Sequence, residues 1–169
     1  MNGNDVGYLL PELILLVGAS LVFALDLLGP KGRDKPWLPY VALGGLALAL
    51  VAVITRIGLA PHQIATMMAI DPFAMFFKVI AITSVGIVVL TAIPYMARRT
   101  PYRGEFYAFL MLVALAICLA VSATNLVLLY VSFEFLSITS YVLAGYIRND
   151  QKSGEAAIKY FLYGATASA

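Results

Sequence analysis

Residues 125–147 read NLVLLYVSFEFLSITSYVLAGYI, twenty-three residues in which, after Asn125, a single charged side chain, Glu134, interrupts an otherwise apolar and hydroxyl-bearing run. A helix needs about 20 such residues to cross the hydrocarbon core of a bilayer. Glu134 stands nine residues from Asn125 and fourteen from Arg148, about 13 and 21 Å along a helix axis. A glutamate side chain is too short to reach either interface from that depth. It must therefore face other helices or an internal, water-filled cavity. Tyr130, Glu134, Ser137, Tyr141, Gly145 and Arg148 follow one another at steps of three or four, the spacing that lines one helix face. A polar stripe on a greasy helix is what a proton or ion path requires. Its plain alternative is a structural polar network whose groups satisfy one another.

Outward from this run the chain repeats the same theme. It is 62% hydrophobic and 12% charged, against about 25% charged in an average soluble domain. A water-soluble fold has no place for that much apolar surface, whereas lipid solvates it directly. The expected architecture is all-α, a polytopic transmembrane helix bundle forming a single membrane domain over 1–169. The apolar runs predict spans at 8–28, 37–57, 72–95, 105–122, 125–147 and 155–169. Pro11 falls in the opening turn of the first, where a missing N–H costs little, and Pro94 is expected to kink or end the third. Gly44 and Gly45 in the second offer a close helix approach. Residues 58–70 read as a moderately apolar connection. The sixth run reaches about 22 Å over about 15 residues, short of a core of about 30 Å. Five full spans and a cut sixth are therefore expected, as in a piece of a longer protein.

Charge sets the orientation. Lys31, Arg33 and Lys35 lie in the first loop, Arg98, Arg99 and Arg103 in the third, and Arg148 and Lys152 in the fifth. These loops alternate to one side, which the positive-inside rule makes cytoplasmic, placing the N-terminus outside. A net charge of +2 does not suggest nucleic-acid binding, and the one cysteine, Cys118, excludes an intrachain disulfide and a thiolate metal cluster within the chain. The opening residues lack the basic stretch of a secretory signal. His62, the only histidine, falls in an outer loop and reads as solvated.

The remaining charges within spans admit innocent readings. Asp26 lies one turn from the inner end of the first span and Glu12 near its outer end, both within reach of headgroups. Lys78 is six residues past Pro72, about 9 Å along the helix, and its long stem can snorkel. Lys159 lies about one turn into the sixth run, with Glu155 four residues before it and Tyr163 four after. It reads equally as half of a surface helix pair or as an internal lysine whose charge state changes.

Two adjacent stretches carry a resemblance. FEFLSITSYVLAGY, from Phe133, followed by EAAIKYFLYGA, from Glu155, is similar to the fifth and sixth helices of the antiporter-like, proton-translocating subunits of respiratory complex I, in their subunit N branch. DPFAMFFKV at the third span is a weaker echo. The resemblance implies that Glu134 and Lys159 are the proton-translocating residues, with the family's further lysines on later helices. Thr139 stands where many relatives have proline. Also implied are a place in the bacterial inner membrane and partnership with the other membrane and hydrophilic subunits of complex I. NADH, flavin, iron–sulfur clusters and quinone would reside in those partners, and this chain would hold no cofactor and no metal. Alternatives are the matching subunit of a cation/proton antiporter or a membrane-bound hydrogenase, or a membrane scaffold that transports nothing.

Overall fold

A computed structural model describes residues 3–29, 35–58, 60–64, 66–100 and 103–168. Lys31 and Arg33 of the first loop lie outside the described residues. Helices α1 (Gly3–Tyr8), α2 (Leu10–Leu28) and α3 (Leu38–Ile54) lead into strands β1 (His62–Ile64) and β2 (Met68–Ile70). Helices α4 (Pro72–Ala97), α5 (Gly104–Ser122), α6 (Leu126–Ala144) and α7 (Gln151–Ser168) follow. By length and composition α2, α4, α5 and α6 can each cross a membrane, while α3 is a shorter apolar helix of 17 residues.

The helix ends follow from local chemistry. Asn125 and Asp71 cap α6 and α4, their side chains accepting hydrogen bonds from Leu128 N at 2.8 Å and Ala74 N at 2.7 Å. Each satisfies an amide that has no partner inside its own helix. Pro11, Pro39 and Pro72 stand in opening turns. Pro94 does not end its helix: α4 runs three residues further, to Ala97. Bundle neighbours sustain a proline-bearing helix once the single freed carbonyl is accommodated. The seventh helix begins at Gln151, four residues before the expected Glu155, because Asp150 accepts a hydrogen bond from Lys152 N at 3.0 Å and so starts a turn inside the supposed loop.

Helix α5 is the axis of the bundle. It packs against α2, α3, α4 and α6, and ten of its nineteen residues are buried. Met111 on α5 lies where α2 and α3 come closest. A β-carbon at Gly18 or Gly45 would stand 2.6 or 2.7 Å from the Met111 Cε, so both glycines make room for one side chain. Gly44, equally available on sequence grounds, meets nothing within 4 Å. Helix α6 lies along the outer side of α5, and α7 packs on α6 with no buried residue of its own.

The two ends of the bundle differ in chemistry. At one end Lys35 pairs with Asp26 at 3.1 Å and Arg148 approaches Glu105 at 3.5 Å. Gly104 sits so close to Asp26 that a β-carbon there would overlap the carboxylate. The described parts of the three basic loops thus gather at this end. At the other end the connection read as irregular forms an antiparallel hairpin, with His62 opposite Ile70 and Ile64 opposite Met68. Its strands are three residues long, too short for an alternating pattern to show in the sequence. Ile64, Met68 and Ile70 turn inward, and Thr66 takes a left-handed backbone (φ 55°) in the turn. Thr124 ties the hairpin to the α5–α6 junction, its N–H donating to Met67 O at 2.8 Å and its hydroxyl to Thr66 O at 3.1 Å. His62 stacks on Tyr8 with ring centroids 4.5 Å apart, where the sequence suggested a solvated ring.

Candidate functional site

Glu134 stands at the middle of α6, eight residues from Leu126 and ten from Ala144. It is half-buried, and among the described residues it has no hydrogen-bond or ion-pair partner. Ser132 and Thr139 are the buried residues of α6, and Leu128, Phe135 and Leu143 pack against the core beside them. The stripe through Glu134, Ser137 and Tyr141 runs alongside that contact face, half-buried, while Tyr130 at its outer end is 56% exposed. Three hydroxyls on the helix bond to their own backbone: Ser132 to Leu128 O, Thr139 to Phe135 O and Ser140 to Leu136 O, each at 2.7 Å. None is spent on the glutamate.

The stripe meets α7. Tyr141 makes edge contacts with Tyr160 and Phe161, at centroid distances of 4.9 and 5.7 Å. Its hydroxyl lies where a β-carbon at 164 would be, so a side chain there would displace Tyr141. At the basic-loop end, a β-carbon at Gly145 would come within 2.7 Å of Ala157 Cβ. Glycine at both positions thus draws α7 onto the Glu134-bearing helix.

Lys159 is the ninth residue of α7, about 12 Å into the helix, so the early start at Gln151 places it roughly a turn deeper than the sequence suggested. Its ammonium pairs with Glu155 at 2.5 Å, with both side chains more than half exposed. Among the described residues no ion pair joins Lys159 to Glu134.

The pair that sequence reading passed over lies elsewhere. Lys78 on α4 and Glu12 on α2 form an ion pair at 2.5 Å, with side chains 0% and 6% exposed. Neither reaches an interface, although each was close enough to a helix end to allow it. The cause is packing. Helices α2 and α4 both lie against α5, which brings their N-terminal ends together and gives each charge a buried partner. The only available signal was that two opposite charges sat near the N-terminal ends of two spans running in the same direction, and depth alone does not say which helices are neighbours.

Apolar helices long enough to span a bilayer, with ionisable groups paired or held inside them, define a multi-pass membrane protein. Residues 123–169 match the family model described as NADH:quinone oxidoreductase/Mrp antiporter, TM. Subunit N 1 of the NADH-quinone oxidoreductase of Solibacter usitatus is 36% identical over 167 residues, covering 99% of this chain and 34% of that protein. The subunit N of Dehalococcoides mccartyi is 37% identical over 161 residues, covering 95% and 33%. A chain in the structure of respiratory complex I from Thermus thermophilus with bound aureothin superposes with a TM-score of 0.75 at 30% identity. It covers 94% of this chain and 34% of its own length. Over 95–99% of its length this chain is similar to subunit N of NADH-quinone oxidoreductases. It spans about a third of the length of the curated relatives it matches.

Proposed function

We propose that the chain contributes to proton translocation, as part of a membrane subunit of a proton-pumping NADH–quinone oxidoreductase. The observation that carries this reading is Glu134: a short acid at mid-helix, half-buried and without a protein partner among the described residues. An unpaired acid at that depth has a charge state set by whatever approaches it. A nearby cation favours the carboxylate, and desolvation favours the neutral acid. A change of partner therefore loads or releases a proton. Lys159, on the helix that packs against the same face, is the second group assigned to the path.

In this reading α2 to α6 are five full spans and α7 is the sixth. The basic-loop end faces the cytoplasm of a bacterial inner membrane, and the hairpin end faces outward. The placement of Arg98, Arg99, Arg103, Arg148 and Lys152 supports that orientation. Electron transfer from NADH to quinone would occur in the other subunits, membrane and hydrophilic, which would carry the flavin, the iron–sulfur clusters and the quinone site. A second reading, the equivalent subunit of a cation/proton antiporter, is favoured by the description of the matching family model, which covers both kinds of complex.

The test is Glu134→Gln in the complete protein, which keeps shape and hydrogen bonding but removes the titratable charge. NADH-driven proton uptake by membrane vesicles, normalised to assembled complex, should fall while assembly is maintained. Glu134→Asp should retain more activity than the glutamine variant. Unchanged normalised uptake in the glutamine variant overturns the role given to Glu134. Activity that falls only as far as the assembled amount falls points to a scaffold instead.

A further inference from the structure

The buried Glu12–Lys78 pair takes no part in the path proposed above, and its surroundings leave its chemistry unfinished. Lys78 Nζ has three N–H donors and the carboxylate about four acceptor sites, yet beyond their mutual contact neither group has a hydrogen-bond partner among the described residues. Ser122 Oγ on α5 is likewise buried without a partner. Cys118, one turn before Ser122 on the same face of α5, lies within electrostatic reach of both Glu12 and Lys78. Among the described residues no second charge pairs with either group. On α3 the only titratable side chain is Tyr40, exposed at the far end of that helix; β2 has none, and α5 offers only Cys118 at this depth.

A buried ion pair offsets its desolvation only when the remaining lone pairs and protons are satisfied. Here the pair's remaining donors and acceptors are buried between α2 and α4 beside Cys118 of α5, with the unpartnered Ser122 hydroxyl one turn further along that helix, and water is the small ligand that can both donate and accept there. We propose that this cluster is a hydrated proton-holding site, separate from Glu134, in which the Glu12–Lys78 pair takes up and releases one proton through internal water. In the loading step a hydronium ion gives its proton to the Glu12 carboxylate. An O–H bond forms on the carboxyl oxygen, water is left behind, and the Lys78 ammonium is unchanged. Release reverses the step. The hairpin turns Ile64, Met68 and Ile70 inward, with β2 packed against α4 and α5.

The use of such a site in pumping rests on the function proposed above, so the decisive readout is independent of pumping. Infrared difference spectra of the complete purified protein, recorded between neutral and acidic buffer, should show a carboxylic-acid C=O band. The band should shift in D2O and vanish in Glu12→Gln. If no band is lost in Glu12→Gln while the protein remains folded, Glu12 holds no proton and the proposal fails. Because either single variant can compromise folding, the double variant Glu12→Gln/Lys78→Met, which removes both charges at nearly constant volume, is compared in vesicles. It should insert at close to the unaltered amount yet show a several-fold fall in proton uptake per inserted protein. Unaltered uptake in the double variant, with Glu134→Gln impaired, reduces the pair to a clamp between helices and overturns its part in transport. If Glu134→Gln is equally silent, the role given to Glu134 falls as well, and the infrared band decides the Glu12–Lys78 site by itself.

Discussion

The α2–α5 bundle and the α6–α7 edge place charge in apolar helices by opposite means. In the bundle, Glu12 and Lys78 are buried and answer each other at 2.5 Å, and both lie in the first third of their helices. At the edge, Glu134 sits at the centre of its helix with no partner among the described residues, and Lys159 is paired only with its own-helix neighbour Glu155. Helix α6 buries only Ser132 and Thr139, and α7 buries nothing. Strength of packing and depth of charge therefore run in opposite directions. The packed bundle commits Glu12 to Lys78, so that a proton reaches it only through the water proposed above, whereas the loosely covered edge leaves Glu134 with no partner among the described residues.

That contrast breaks most sharply at Lys78. Lys78→Met strands a buried carboxylate and should cost about 3–5 kcal/mol. Thermal unfolding of the purified protein in detergent, or the amount recovered in membranes, reads this directly. An equally large loss from Lys159→Met would erase the distinction between the two regions. Next in size is Gly18→Val. Its new side chain meets Met111 between α2 and α3, and overpacking of this kind costs about 1–3 kcal/mol. Adding Met111→Ala should return part of that loss, which a double-mutant cycle measures. Smallest is Lys159→Met itself. An exposed pair of this spacing contributes about 0.3–0.5 kcal/mol, so stability should scarcely move even where transport falls.

The helical character of the chain was legible because lipid imposes it: runs of about 20 apolar residues have few other uses. The centrality of Glu134 was legible for the same reason, since its depth depends only on counting along one helix. What could not be read was anything depending on which helices touch. Glu12 and Lys78 are local neighbours of nothing charged, and the buried ion pair between them exists because α5 gathers α2 and α4 on its flanks. Gly44 and Gly45 are indistinguishable as letters, yet only Gly45 faces Met111. Caps were partly hidden as well. Asp150 starts α7 inside a stretch of polar residues that reads as loop, because a single side-chain acceptor is enough to begin a turn.

The Glu12–Lys78 pair also bears on how the chain enters the membrane. Sixty-six residues separate the two, and a ribosome adds about 5–20 residues per second. Glu12 thus emerges roughly 3–13 s before the lysine that will neutralise it. Its place as the third residue of α2 lets it wait among headgroups and be drawn inward when α4 arrives. An acid at the centre of α2 would have no such refuge during synthesis. The order of translation, as much as the finished packing, favours a buried charge pair built from residues near helix ends.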